Sequence, residues 1–169
     1  MSLESTSISN ILNRDVKVEE QNQNIFAISK IMYDNNIGSV VIVDNHEKRN
    51  PVGIITERDI VKIIGSLQQM NLQLPIKEHM SHPLITLSLN ASIADAMKIM
   101  HERKIRRVII LKENNLAGIV TEHDIFKALM NNKDLLSAVV DNSGNLSIPP
   151  KNINEELTHF WFNNAFFKQ

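Results

Sequence analysis

Two short motifs in this chain of 169 residues place a threonine and an aspartate three positions apart. They are Thr56 with Asp59 and Thr121 with Asp124, and each pair follows a glycine and two apolar residues. A threonine at a helix start and a carboxylate one turn later form a capping box, in which each side chain accepts a hydrogen bond from a backbone amide. The same helix terminus favours an anionic phosphate, and the aspartate can accept the hydroxyls of a ribose. The motifs therefore fit both a helix cap and a nucleotide site.

The two motifs belong to a tandem duplication. The segment Gly53–Ile64 returns as Gly118–Leu129, with seven of twelve positions identical at an offset of 65. Upstream of this segment the offset is 68. The difference between the two offsets falls in the polar turn 46–51, where inserted residues cost little stability. Matching residues that keep the same order over both segments indicate an internal repeat. We expect repeat 1 to cover residues 8–70, with a linker from about 65, and repeat 2 to cover residues 71–131.

Each repeat shows the same predicted order of elements, β-α-β-β-α. A short extended segment precedes an amphipathic helix, and a β-branched run then predicts a strand covered on both faces. A polar turn, a second strand and a closing helix follow. The segments are Asp15–Val18, Ile25–Met32, Val40–Val43 and Asp59–Gly65 in repeat 1, and Pro83–Leu87, Ile93–Met100, Val108–Leu111 and Asp124–Met130 in repeat 2.

The predicted fold class is α/β, with the two repeats packed by their sheets around a pseudo-two-fold axis. A single repeat of about 60 residues buries too little apolar surface to be stable alone. Such packing leaves two related clefts between the repeats, and ligands usually bind in clefts of this kind. Residues 132–169 form a C-terminal extension with a predicted aromatic helix over 152–167.

The doubled Gly-x-x-Thr-x-x-Asp motif and the doubled unit around it resemble a pair of CBS domains over about residues 8–131. The repeats are similar to those of the γ subunit of AMP-activated kinase. This resemblance implies a regulatory sensor without catalysis of its own, which binds AMP, ADP, ATP or S-adenosylmethionine. It also implies a homodimer of four repeats.

The resemblance further implies that one ligand is bound by both repeats. An aspartate from one repeat binds its ribose, and basic residues come from the other repeat. Cleft 1 would combine Ile54, Ile55, Thr56, Arg58 and Asp59 with Ile85, Arg106, Arg107 and His123. Cleft 2 would combine Lys17, Gly38, Ser39 and Arg58 with Ile119, Val120, Thr121 and Asp124. Because arginine binds phosphate through a planar fork, we predict that cleft 1 is the tighter site. For the same reason we rank AMP, ADP and ATP above S-adenosylmethionine.

The basic residues of cleft 1 also fit a second interpretation. Arg106 and Arg107 continue a run with Lys98, Arg103 and Lys104, which is typical of a solvated basic face. A nucleic-acid partner would rest on that run alone and is not favoured at a net charge of −1. The rival function is a protein-interaction or dimerisation module with empty clefts.

The residue types and motifs that the sequence lacks exclude several classes of function. With no cysteine, the chain has no disulfide and no thiolate metal site. The six histidines show no metal-ligand spacing and no catalytic motif is present, so we expect no obligatory cofactor, no metal and no enzymatic activity. Mg²⁺ would arrive only with ATP. The absence of a long apolar run and of an apolar N-terminal region predicts no membrane contact and a cytoplasmic location.

The C-terminal extension carries most of the aromatic residues. Five of the eight lie between Phe160 and Phe167, approximating one helical stripe. Such a stripe must be buried on its own repeats, on a homodimer partner or on another protein, and the sequence leaves these alternatives open.

Overall fold

The computed structural model describes residues 3–45, 47, 50–66 and 72–142, which form two three-stranded sheets with helices. The α/β class and the doubled β-α-β-β-α order are confirmed. The predicted aromatic helix over 152–167 lies outside the described residues. In repeat 1 the elements are β1 Val18–Glu20, α1 Ile25–Asn35, β2 Ser39–Val43, β3 Pro51–Thr56 and α2 Glu57–Ser66. In repeat 2 they are β4 Thr86–Ser88, α3 Ile93–Arg103, β5 Arg107–Lys112, β6 Asn115–Thr121 and α4 Glu122–Asn131, and α5 follows over Lys133–Asn142.

Each sheet has the same topology. The first strand pairs in parallel with the second through a helical crossover, and the second pairs antiparallel with the third. The register slips at Ile42/Val43 in the first sheet and at Ile110/Leu111 in the second, which are matched positions. The duplication therefore extends to the irregularities of the strands.

The central helices begin and end at matched residues. Asn24 caps α1 through a hydrogen bond from the Ala27 amide, and Ser92 caps α3 as part of a capping box. Both helices end in a left-handed residue, Asn36 at φ 51° and Lys104 at φ 53°. These ends set where β2 and β5 start, and hence where the residues ahead of those strands lie.

The two sheets pack against each other through apolar side chains. Val41, Ile109 and Ile119 are buried between them, with Ile54 and Leu84 packed alongside. Separate apolar clusters fill the space between each sheet and its own helices. This central contact confirms the predicted packing of the repeats by their sheets.

The segment that leads into each repeat packs on the other repeat. Ile8 lies in a short 3-10 helix and is fully buried in the repeat 2 core, where its amide donates to Ala91 O at 2.9 Å. Ile76 lies in a matching 3-10 helix, is fully buried in the repeat 1 core and donates to Gln23 O at 2.7 Å. The repeats are therefore interlocked, as well as packed face to face.

The helix α5 was not predicted from the sequence. Asn132 caps its first turn by accepting hydrogen bonds from the Asp134 and Leu135 amides. Leu135 is buried beside Leu129 of α4. The signal in the sequence was the asparagine followed by an acidic first turn and an apolar run. In the described part of the chain, no helix has the length and apolar character needed to cross a membrane.

Candidate functional site

Both Thr-x-x-Asp motifs form capping boxes. The Asp59 oxygen Oδ2 accepts from the Thr56 amide at 3.0 Å and from the Thr56 hydroxyl at 2.6 Å, and the Asp59 amide donates to that hydroxyl at 3.3 Å. The corresponding distances for Thr121 and Asp124 are 2.8, 2.6 and 3.2 Å. The cap uses a single oxygen of each carboxylate, so within the described residues Oδ1 remains able to accept a hydroxyl.

The Asp59 motif lines an open cleft of about 1410 Å³ between the repeats. β3 and α2 of repeat 1 form one wall, while the segment before β4 and the helices of repeat 2 form the other. Seven of the nine residues predicted for cleft 1 line this space: Ile54, Thr56, Arg58, Asp59, Ile85, Arg106 and Arg107. The structure therefore brings together residues that are about 50 positions apart in the chain.

Two residues predicted for cleft 1 lie elsewhere. The Ile55 side chain is fully buried in the repeat 1 core, because neighbouring strand residues point to opposite faces of the sheet. His123 is exposed on the first turn of α4, and it is not among the residues that line the cleft. Its matched residue in repeat 1, Arg58, does line it.

The lining of cleft 1 carries an excess of positive charge. It contains six lysines and arginines but only three carboxylates. The cations are Arg58, Lys62, Lys98, Lys104, Arg106 and Arg107, and the carboxylates are Asp59, Glu102 and Glu122. Lys98 and Lys104 had been assigned to the alternative of a solvated basic face, yet they share this cleft with the arginine pair.

Helical residues of repeat 2 supply a lining that sequence reasoning missed. Met97, His101 and Phe126 are among the residues that face cleft 1. They lie on α3 and α4, and the periodicity of an isolated helix does not show which of its faces a second repeat will meet. Apolar and aromatic groups of this kind suit a flat ring, while the basic groups suit an anion.

The two arginines occupy different environments. Arg106 is exposed, whereas Arg107 is partly buried and its guanidinium donates through Nη1 to Gly38 O at 2.6 Å. Burial, followed by the neighbouring charge of Arg106, lowers the pKa of Arg107. The carboxylates of Glu57, Asp59 and Glu122 oppose this shift. An arginine remains charged under such a shift, so cleft 1 has a partly buried cation beside its acidic helix start.

Glu122 is the carboxylate most affected by this setting. Burial raises the pKa of Glu122, and the charges of Arg106 and Arg107 only partly offset the shift. The ionised form of Glu122 is therefore less favourable in the folded protein than in water.

The residues predicted for cleft 2 lie on both sides of the seam, which is the boundary where the two repeats meet. Gly38 contacts Arg107, which is the β-strand partner of Thr121. Ile119 is bridged to Asn13, near Lys17, whose ammonium lies 3.4 Å from Asp15. The side chain of Val120 is fully buried in the repeat 2 core. The other residues predicted for this cleft, Ser39, Arg58 and Asp124, are all at least partly exposed.

No group of three or more histidines, aspartates and glutamates in the described part of the chain could hold a metal ion.

The CBS domain family matches residues 8–66 and residues 76–131 of this chain. The chain is a tandem CBS-domain protein. The two matched ranges correspond to the two sheet-and-helix units described above, and the predicted resemblance is confirmed.

Among curated relatives, the chain is 32% identical over 167 residues to the uncharacterized protein MJ1404 of Methanocaldococcus jannaschii, covering 92% of this chain and 39% of that protein. It is 30% identical to the CBS domain-containing protein YhcV of Bacillus subtilis, covering 80% of this chain and 94% of YhcV. A match to the inosine-5′-monophosphate dehydrogenase of Staphylococcus aureus covers only 24% of that enzyme, so it concerns the CBS pair and not the activity.

Solved structures of CBS-domain proteins superpose on the described fold. The CBS domain pair of protein MJ0100, in complex with 5′-methylthioadenosine and S-adenosyl-L-methionine, has a TM-score of 0.67 and 28% identity, covering 75% of this chain and 97% of that one. The CBS-domain protein ATU1752 of Agrobacterium tumefaciens also has a TM-score of 0.67, with 27% identity and coverage of 73% and 98%. CBS pairs of this kind are regulatory ligand-binding modules.

Proposed function

We propose that this protein is a ligand sensor that binds an adenine nucleotide, AMP, ADP or ATP, in cleft 1. The observation that carries the proposal is the meeting of the Thr56–Asp59 helix start from repeat 1 with Arg106 and Arg107 from repeat 2. Asp59 Oδ1 would accept from the ribose, and the basic groups of repeat 2 would bind the phosphate. A ligand held from both repeats favours one relative setting of them, which is what a sensor requires.

Two further features support an adenosine-containing ligand. The complex of the MJ0100 CBS pair shows that a similar fold, at 28% identity, accommodates 5′-methylthioadenosine and S-adenosyl-L-methionine. The lining of cleft 1 contains three more lysines and arginines than carboxylates, and a nucleotide phosphate would balance this excess of positive charge. We therefore keep the nucleotides ahead of S-adenosylmethionine, which remains the alternative ligand.

The test is isothermal titration of the protein with AMP, ADP, ATP and S-adenosylmethionine. We expect saturable binding of a phosphorylated nucleotide. Binding of S-adenosylmethionine alone would retain a sensor but refute the phosphate argument. If none of the four ligands bound, the alternative of a protein-interaction module would replace the proposal.

Asp59→Ala and Asp124→Ala form a matched pair for the same titration. Each substitution removes one capping carboxylate, at a cost of about 1 kcal/mol in stability. Only Asp59 lines cleft 1, so we expect Asp59→Ala to weaken binding at least about tenfold, since a lost hydrogen bond to a charged group costs about 1.5–3 kcal/mol. Equal losses in the two variants would show that the effect comes from capping.

Assembly and location form the rest of the proposal. We infer a homodimer, a cytoplasmic location and no catalytic activity, with Mg²⁺ entering only as a companion of ATP. The chain spans 39% of MJ1404 and 63% of the uncharacterized protein MK0525 of Methanopyrus kandleri, so the regulated partner is not defined by these relatives. A partner protein bound through Phe160–Phe167 remains a prediction from the sequence.

A further inference from the structure

Arg107 makes a side-chain hydrogen bond that joins the two repeats. Its Nη1 donates to Gly38 O at 2.6 Å, although the residues are 69 positions apart. The same oxygen accepts from the amide of Glu57, the first residue of α2, at 3.3 Å. One carbonyl of repeat 1 therefore receives both a guanidinium from repeat 2 and the start of the helix that carries Asp59.

Both charged side chains lie beside Gly38. A Cβ at position 38 would lie 3.0 Å from Glu57 Oε2 and 3.5 Å from Arg107 Nη1. The second distance is an ordinary van der Waals contact, and the first is to the end of a flexible side chain. The Gly38 carbonyl is therefore close to a guanidinium of repeat 2 and to a carboxylate of repeat 1.

The pseudo-two-fold relation shows that the bond is not a general feature of the repeat. Arg106 is the counterpart of Gly38, and its carbonyl accepts from the Glu122 amide at 3.0 Å. Ser39 is the counterpart of Arg107, and its hydroxyl is too close to its own backbone to reach as far as a guanidinium. Among the described residues, a hydrogen bond from a side chain of one repeat to this carbonyl of the other is therefore found on one side only.

The charges around Arg107 come from both helix starts. Glu57 and Asp59 lie on the first turn of α2, and Glu122 lies on the first turn of α4. All three carboxylates act on the Arg107 charge. The guanidinium therefore lies within electrostatic reach of the acidic first turns of both α2 and α4.

We propose that Arg107 is a positioning residue shared by the two clefts, so that a phosphate bound in cleft 1 weakens phosphate binding in cleft 2. The inference rests on the proposed function. A phosphate is a stronger acceptor for a guanidinium than a neutral carbonyl is, and it takes two parallel N–H groups. Phosphate in cleft 1 draws the Arg107 guanidinium from Gly38, which takes that cation away from Gly38 and Ser39, two residues predicted for cleft 2.

The exchange also gives the sensor an output. When Arg107 leaves Gly38, the carbonyl retains the hydrogen bond from the Glu57 amide, and this side-chain hydrogen bond between the repeats is lost. Coupling of this kind is typically 5–150-fold in affinity. We expect the second equivalent of nucleotide to bind at least about tenfold more weakly than the first.

The experiment combines titration calorimetry with amide NMR of Gly38 and Glu57, using AMP as the probe and adenosine as the phosphate-free control. AMP should shift both amide signals, whereas adenosine, which lacks the phosphate, should leave the Gly38 signal in place. Arg107→Met should abolish the shifts and bring the two affinities within about threefold, whereas coupling of about tenfold should persist in Lys112→Met. Lys112→Met is the matched control because Lys112 is an exposed cation on the same strand, β5, and does not line cleft 1.

The outcomes separate the inference from the proposed function. AMP binding without movement of the Gly38 and Glu57 signals, or identical behaviour of the two methionine variants, would overturn the inference and leave the sensor intact. An absence of binding heat with any nucleotide would refute both. Thermal unfolding followed by circular dichroism confirms that each variant is folded, and Arg107→Lys replaces Arg107→Met if the latter is not.

Discussion

At the scale of single residues, neighbouring positions in this protein have different roles because the backbone separates them. Arg106 precedes β5 and is exposed, while Arg107 begins the strand and turns into the seam between the repeats. The sequence analysis placed both residues in cleft 1, and both line it. It did not predict that Arg107 would bind a carbonyl of the other repeat, since that contact depends on how the sheets pack.

Glu122 carries a prediction about pH. Its pKa in the folded protein lies above the ordinary value, chiefly through burial, so the folded state holds this proton more tightly than the unfolded state. The stabilisation is therefore present at low pH and is lost as the pH rises through the folded pKa. We expect Glu122→Gln to raise the free energy of unfolding relative to wild type more at pH 7 than at about pH 4.

Urea unfolding at several pH values measures this difference. Glu57→Gln is the matched control, because it removes an exposed carboxylate from the same position of α2 and reports the helix-dipole contribution. A benefit of Glu122→Gln that was constant with pH, or larger in acid, would contradict the assignment.

At the scale of elements, the segment that leads into each repeat packs on the other repeat, and this exchange holds the two repeats together. Ile8 belongs to repeat 1 in sequence and to repeat 2 in packing, and Ile76 shows the reverse. The sequence predicted extended segments at Asp15–Val18 and Pro83–Leu87, whereas the strands are Val18–Glu20 and Thr86–Ser88. The preceding residues instead run across the seam, an arrangement that no local pattern reports.

The exchange predicts where each core substitution acts. Ile8→Ala and Ile76→Ala each remove a fully buried side chain and should cost about 2–5 kcal/mol in unfolding free energy. Hydrogen exchange should rise first in α3 and β5 for Ile8→Ala, and in α1 and β2 for Ile76→Ala. If exchange rose in the repeat to which the residue belongs by sequence, the interlocked packing would be refuted.

At the scale of the whole molecule, the outer helix faces of the two repeats differ. In repeat 2, α5 packs on α4, and Leu129 and Leu135 are buried. In repeat 1, α1 and α2 leave large apolar side chains exposed, with Tyr33 at 86% and Val61 at 68%. This open face of repeat 1 suits a two-fold contact with a second copy of the chain, because the same patch then serves both partners.

The homodimer inferred above should therefore use the open face of repeat 1. We expect the double substitution Tyr33→Glu with Val61→Glu to reduce the mass in solution from two chains to one, as measured by light scattering during size-exclusion chromatography. Lys127→Glu, on the exposed side of α4, is the control and should leave the mass unchanged. A mass of one chain for the unsubstituted protein would refute the dimer itself.

The sequence by itself determined the duplication, the order of elements and both Thr-x-x-Asp caps, because these depend on local periodicity and on spacings within one turn. Seven of the residues that it predicted for cleft 1 line that space, since matched frames place matched side chains. Only the tertiary structure decided that Ile55 is core, that α3 and α4 line the cleft, and that Arg107 reaches Gly38. Those outcomes join residues some 70 positions apart in the chain. They depend on how one sheet is oriented against the other, and no single segment of the sequence determines that orientation.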